Sequence, residues 1–391
     1  MDTPSNRSWL HPLFAVAIRM LIGDRAKYLG LIFAIAFSSF LISQQSSLFV
    51  GLMSRTRGQI RDVTDADIWV MDAATKYFDE VYALRDSELY RVRGVPGVEW
   101  AVPLFKGNQS AKTATGFFRS VLVLGLDDAS LTGVPRKLLM GNTEDLRLPD
   151  AAIIDRAGYN FLYPGQPLQL GRILELNDHR IRIVGICIPS APFIASPILY
   201  TRYSLAVNLV GRQRTQMSFL LAKAAPGADP HVVADHIRQS TGLKAVTGDD
   251  FGWMTINYYL ANSGIPINFG LTVAVAIIVG AVVAGQTFYI FTIENLKQFG
   301  ALKAIGATNA RITGMIMLQA LLVGFLGYSV GITMTAGFFF GIRNLEALRD
   351  ITLLWPIMLG TFIVVIGIVL VASLLSIRKV IVLEPAIVFR G

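Results

Sequence analysis

Residues 29–52 read LGLIFAIAFSSFLISQQSSLFVGL, without one charged side chain. About 20 apolar residues suffice to cross the hydrocarbon of a bilayer as a helix. Lipid satisfies no free backbone group, so such a stretch has to be helical. It is too long for a signal-peptide core, and no small-x-small cleavage pattern follows it, so it is expected to stay as an anchor. Three more stretches of this kind, residues 266–293, 312–339 and 353–377, are crowded into the last third of the chain. Between the first and the second lie about 210 residues of soluble-protein character, enough for a domain of ordinary size.

Composition agrees with this layout. The chain has 391 residues, 53% of them hydrophobic, and a mean hydropathy of +0.52. That is too apolar for an ordinary soluble protein and too polar for one lying wholly in lipid. The net charge of +8 reads as topology rather than as nucleic-acid binding. Arg7, Arg19, Arg25 and Lys27 precede span one, Lys297, Lys303 and Arg311 follow span two, and Arg378, Lys379 and Arg390 follow span four. Between spans three and four, Arg343 and Arg349 are balanced by Glu346 and Asp350. The positive-inside rule then puts both termini in the cytoplasm and the large domain outside.

The expected fold class is membrane α-helical, four transmembrane helices in a 1+3 layout, with a large α+β extracytoplasmic domain between helices one and two. Residues 1–28 are expected to hold a cytoplasmic amphipathic helix, over 9–25, with Pro12 in its first turn and Leu13, Val16, Ala17, Met20 and Leu21 at helical spacing. The outer domain takes 53–265, a cytoplasmic coupling helix 294–311, a short outer loop 340–352 and a cytoplasmic tail 378–391. Inside the outer domain, residues 67–71, 120–124, 180–188 and 219–222 read as strands. A helix follows Asp86 and runs to Arg93, and Asp229-Pro230 opens another with Asp as cap and Pro in the first turn.

The segment between spans two and three carries the functional signal. It reads ENLKQFGALKAIGATNARI, residues 294–312. Leu296, Phe299, Leu302 and Ile305 are expected to share one face, with Lys297, Gln298 and Lys303 on the rest. Gly306 is a natural helix stop, and Thr308 or Asn309 can cap the next helix. A short rigid cytoplasmic helix broken sharply from a span can be pushed by a soluble partner. An ordinary basic membrane-proximal turn is the alternative.

The same segment resembles the signature of MacB/FtsX-like ABC transporter permeases: a Glu closing the second span, then Ile/Phe-Gly-x-Leu-Lys/Arg-Ala-Ile/Leu-Gly-Ala. Glu294, Phe299, Gly300, Leu302, Lys303, Ala304, Ile305, Gly306 and Ala307 fill it. FFRSVLVLGLDDASLTGVP (117–135), PGQPLQLGRILELNDHRIRIVGI (164–186) and the tail from Glu384 to Arg390 also resemble family segments. Within the family the chain looks most like DevC-type permeases, which lack a fused ATPase domain.

That resemblance implies the permease subunit of an exporter in the bacterial inner membrane. A second permease copy would form a homodimer on cytoplasmic ABC ATPase subunits. Glu294, Phe299, Gly300, Leu302, Lys303, Ile305 and Gly306 would couple to the ATPase. A periplasmic adaptor and an outer-membrane channel would complete the route for a lipid, glycolipid, peptide or small toxic molecule. Two other family roles stay open: an FtsX-like regulator of an extracytoplasmic cell-wall hydrolase, and a lipoprotein-releasing subunit. ATP and magnesium are expected on the partner, because residues 300–306, GALKAIG, lack the Lys-Ser/Thr that a phosphate-binding loop requires after its second glycine.

Other candidates are weaker. Gln44, Gln45, Gln286 and Gln319 are polar groups within spans, marking either a cargo route or hydrogen bonds between helices. Gly324, Gly327 and Gly331, and the pair Gly337 and Gly341, have the small-residue spacing of close helix packing. His11, His179, His231 and His236 make no metal site, since His231 and His236 are five apart and no further ligand completes a set. Asp127-Asp128 and Asp249-Asp250 read as turn caps rather than catalytic pairs. Cys187, the only cysteine, reads as a small core residue. No catalytic arrangement is expected.

Overall fold

A computed structural model describes residues 25–113, 116–194, 196–210, 217–343, 345, 348 and 351–381. The amphipathic helix expected within 1–28 and the tail from 382 onward lie outside the described residues, as does most of the loop 344–350. The chain divides into two compact units, one of residues 1–51 and 264–391, the other Leu52–Ser263.

The second unit is α+β. In chain order it holds the end of helix α1 (Arg25–Thr56), α2 (Gly58–Asp62), β1 (Ile68–Met71), α3 (Asp86–Arg93), β2 (Val98–Lys112), β3 (Phe118–Leu126), β4 (Leu138–Gly141), β5 (Ala151–Asp155), α4 (Arg156–Leu162), β6 (Ile173–Leu176), β7 (His179–Cys187), β8 (Ile198–Arg202), α5 (Tyr203–Val210), β9 (Phe219–Ala224), α6 (Pro230–Thr241), β10 (Lys244–Thr247) and α7 (Gly248–Asn262). Among the described residues the strands join in the order β10–β1–β9–β2–β3–β8–β5–β7–β4, with β6 pairing β2 and β7.

β2 joins the two halves of this sheet. Residues 98–104 pair with β9 and residues 105–112 with β3. Its sequence, VEWAVPLFKGNQSAK, hides the strand behind Pro103 and a polar run. Pro103 is tolerated because it lies where β2 pairs with β9, before the β3 pairing begins at Phe105, so a missing N–H costs no bond on that second edge.

Alternation along β1 and β9 explains why the sheet is buried on both sides. Ile68, Val70, Leu220 and Ala222 face a cluster that includes Val92 of α3 and Val233 and Ile237 of α6. Trp69, Met71, Phe219 and Leu221 face the opposite cluster with Phe78 and Phe251. There the Trp69 ring lies 5.5 Å from both Phe219 and Phe251. Asp229 caps α6 by accepting the His231 N–H at 2.9 Å.

A part-buried ion pair, Lys106 with Asp79, braces this unit. The Lys106 ammonium sits 2.5 Å from Asp79 and 4.0 Å from the centre of the Phe78 ring. Burial pushes Lys106 below the usual lysine range, against the opposing pull of Asp79. The other Asp79 oxygen accepts the Tyr259 hydroxyl at 3.0 Å, and burial, then Asp79, push that phenol upward.

The first unit is helical: most of α1, then α8 (Ile265–Glu294), α9 (Leu296–Ala304), α10 (Asn309–Ile342) and α11 (Trp355–Ile381). Among the described residues, four helices are long and apolar enough to cross a membrane: α1, α8, α10 and α11.

Small residues let these helices touch. A Cβ on Gly327 would lie 2.7 Å from Ile35, and one on Gly331 would lie 2.5 Å from the Ala36 carbonyl oxygen. Gly324 lets α10 meet Val369 of α11, and Gly280 lets α8 meet Ser38 of α1. Ser43 and Thr335 share a hydrogen bond of 2.6 Å across the α1–α10 contact. Gly337 and Gly341 depart from the expected packing role within this chain, since a Cβ on either meets nothing within 4 Å.

Candidate coupling site

The coupling segment, residues 294–311, is a short helix between two breaks. α8 stops at Glu294, and Asn295 turns the chain (φ −93°, ψ 9°) while its side-chain amide donates to the Phe291 carbonyl at 2.8 Å. α9 then runs for nine residues. Its C-terminus closes as a Schellman turn, in which the Ala307 N–H donates to the Leu302 carbonyl at 2.9 Å and the Gly306 N–H to the Lys303 carbonyl at 3.0 Å. Gly306 supplies the positive φ of 102° that the turn requires. Thr308 caps α10, its hydroxyl accepting the Arg311 N–H at 3.4 Å.

Phe299 locks α9 in place. It is fully buried against Ile312 and Ile316 of α10, with Leu296, Leu302, Ala307 and Met317 around them. Gly300 beside it is buried as well, and Leu302 and Lys303 are half-buried. Ile305 departs from the expected shared face: it is 85% exposed. Helix period gives the reason: Ile305 keeps helical backbone (φ −82°, ψ −1°) and follows Leu296 by nine positions, about 180° around the helix, so it falls on the side opposite the Phe299 cluster.

The outward stripe of α9 therefore consists of Lys297, Gln298, Ala301, Ala304 and Ile305, with Glu294 and Gly306 exposed at its two ends. Positions i, i+1, i+4, i+7 and i+8 share one helix face. The family-like signature points at Phe299, Gly300 and Leu302, which build the element. Lys297, Gln298, Ala301 and Ala304, the surface a partner could touch, were absent from the expected coupling set, although helical spacing from Ile305 would have found them.

The four glutamines do not share one environment. Gln319 is fully buried and Gln44 nearly so, Gln45 is half-buried, and Gln286 faces out of the helical unit. His231 pairs with Asp250 at 3.3 Å, and no cluster of three or more His, Cys, Asp or Glu is present among the described residues. Asp127 accepts the Ser130 N–H within its own turn, whereas Asp128 accepts the N–H of Ser204 in the first turn of α5, and Asp250 lies in the first turn of α7. Cys187 is buried in the sheet.

Two family models match most of the chain. The MacB-like periplasmic core domain matches residues 29–240, and the FtsX-like permease C-terminal domain matches residues 270–385. The chain belongs to the MacB/FtsX-like permease family. It is an ABC transporter permease of that type, a multi-pass membrane protein with an extracytoplasmic domain. An uncharacterized ABC transporter permease of Mycobacterium bovis is 25% identical over 369 residues, covering 90% of this chain and 94% of the relative. Another from Mycobacterium tuberculosis is 24% identical over 366 residues, with the same coverage. Among solved structures, the periplasmic region of MacB from Actinobacillus actinomycetemcomitans is 14% identical, with a TM-score of 0.38, over 52% of this chain and 96% of that one. For this MacB/FtsX-like permease, the α9 segment lies inside the matched C-terminal domain.

Proposed function

We propose that this chain is the motion-transmitting subunit of an exporter, driven by a separate cytoplasmic ATPase. The observation that carries the reading is the construction of α9. It is anchored by a buried phenylalanine, closed at both ends by defined turns, and it presents an exposed stripe ending in Ile305. A force on that stripe acts on α8 and α10 together, because one break joins α9 to each. ATP and magnesium bind the partner chain, where a phosphate-binding loop is required. Two permease copies pair in the inner membrane, both termini are cytoplasmic, and the domain of residues 52–263 moves on the outer side. There it works with a periplasmic adaptor and an outer-membrane channel on a lipid, glycolipid, peptide or small toxic molecule, in the manner of a DevC-type permease.

The experiment is mild-detergent purification of the tagged chain from its own host, with mass spectrometry of stoichiometric partners. An ABC ATPase with an adaptor is the expected result. An ATPase with a cell-wall hydrolase replaces export by regulation, and an ATPase with a second, dissimilar permease replaces it by lipoprotein release. Absence of any ATPase overturns the coupling role of α9.

A further inference from the structure

α8 is mostly apolar on every side, but this chain covers one side of it only. Ala276, Gly280, Ala284 and Phe288, at four-residue steps, are buried. A Cβ on Gly280 would run into Ser38 of α1 and touch Ile368 of α11 at 3.8 Å. The Ser38 hydroxyl donates to the Ala276 carbonyl at 3.1 Å. The other side is bare. Leu271, Val275, Ile278, Val282, Gln286 and Tyr289 recur at three- and four-residue steps and are all exposed. At about 100° per residue these positions fall in an arc of about 80°, half a turn from the buried row.

An exposed apolar stripe on a span suits lipid, so its apolar members alone decide nothing. Gln286 differs. Its amide has no hydrogen-bond partner among the described residues. The nearest charged residue in sequence, Glu294, is eight positions on, about 12 Å along the axis. The amide therefore lies within the apolar span, where an unbonded polar group is costly and Gln side chains bond across helices. Gly285 stands beside it, and a Cβ there would meet nothing within 4 Å, so a second helix can come close.

We propose that this stripe of α8 is the seam between two copies of the chain, with the two Gln286 amides hydrogen-bonded to each other across the axis. The inference rests on the pairing of permease copies stated above and assigns the surface that makes it. Two copies inserted with the same topology carry Gln286 at the same depth. A two-fold axis along the membrane normal then sets each amide against the other. A carboxamide holds both an acceptor and donors, so the pair is self-complementary, as a pair of like charges is not. The alternation of three- and four-residue steps is the pattern of two helices crossing at about 20°. α8 leads through the break at Asn295 into α9, so each copy's coupling helix hangs from the seam itself.

The test has two halves. Cys187→Ala removes the single native cysteine from the full chain. Into it go Val282→Cys and Tyr289→Cys on the stripe, and Phe325→Cys on the exposed side of α10 as a control. Gln286 stays in place in all three. Oxidation of native membranes with copper phenanthroline is expected to give disulfide-linked dimers from 282 and 289, and far fewer from 325. The second half measures energy transfer between labelled chains in phosphatidylethanolamine–phosphatidylglycerol vesicles as lipid is added. Leucine suits a span, so Gln286→Leu leaves insertion intact. It is expected to raise the dissociation constant by about tenfold, the scale of a hydrogen bond between spans, and Gln286→Asn, which keeps an amide, is expected to recover much of that loss. Energy transfer without cross-links from 282 or 289 overturns the seam and leaves the pairing standing, with lipid or cargo against the stripe. Monomers in native membranes and vesicles alike overturn the pairing with it. Unchanged association in Gln286→Leu overturns the amide pair.

Discussion

Replacing Ile305 by aspartate tests the coupling surface apart from the fold. Ile305 is 85% exposed, so in the isolated permease the change should move stability by no more than about 0.5 kcal/mol. Against a partner the balance differs. Burying an isoleucine contributes about 1.5–3 kcal/mol, and Ile305→Asp forfeits this and adds a carboxylate to be desolvated. A loss of about 2.8 kcal/mol is a factor of about 100 in dissociation constant. The contrast is Phe299→Ala. That ring is fully buried against Ile312 and Ile316, and its removal costs about 3–5 kcal/mol in a well-packed core. The lower end fits here, since the surrounding cluster is small. The assay is paired: thermal unfolding of the purified permease, and titration of its partner ATPase with permease in nanodiscs, read as binding and stimulated hydrolysis. Ile305→Asp should leave the melting temperature in place and weaken ATPase binding by about 100-fold. Phe299→Ala should lower the melting temperature. Normal ATPase binding by Ile305→Asp would refute the assignment of the stripe as a docking surface.

Other substitutions probe the turn, the helix contacts and the brace. Gly306→Ala meets no neighbour within 4 Å but needs φ near +102°, so it should cost about 1–2 kcal/mol of backbone strain. It should cut ATP-driven stimulation while cross-linking at position 305 persists; unchanged stimulation would remove the turn from the coupling path. Gly331→Ala should cost about 1–3 kcal/mol, because its Cβ would sit 2.5 Å from the Ala36 carbonyl oxygen, whereas Gly337→Ala should be neutral or slightly stabilising. Detergent melting curves of the two variants should therefore diverge, and coincidence would contradict the α1–α10 contact. Asp79→Asn leaves Lys106 buried without its counter-charge and should cost about 2 kcal/mol, while Lys106→Met should cost less, because the Asp79 carboxylate it leaves is part-exposed and keeps the Tyr259 hydroxyl as a donor. Chemical denaturation of the extracytoplasmic unit within the full chain gives the order, and the reverse order would mean the pair is not the brace.

Hydropathy made the four spans legible, because lipid imposes one requirement on every residue of a span. It could not say which side of a span is buried. A helix apolar all round gives no face signal, so Gln286 and Gln319 looked alike although one faces outward and the other is enclosed. The break after α9 was readable from Gly306 and Thr308, whose chemistry is local. The fate of Ile305 was missed because steps of three residues drift by about 60° each, so three of them carry position 305 to the side opposite Leu296. In the outer unit the short β-branched strands stood out. β2 did not, since pairing on one edge alone lets Pro103 survive inside it.

The central claim is that an ATPase pushes on α9, and the direct measurement is a photo-cross-linker placed at Ile305 in living cells. A second copy of the experiment carries the probe at Val275 of α8, an exposed position within the apolar span. An adduct between position 305 and an ABC ATPase chain, changing in yield when hydrolysis is blocked, is expected, with no such adduct from 275. Adducts from 305 that hold only lipid, or none at all, would contradict it.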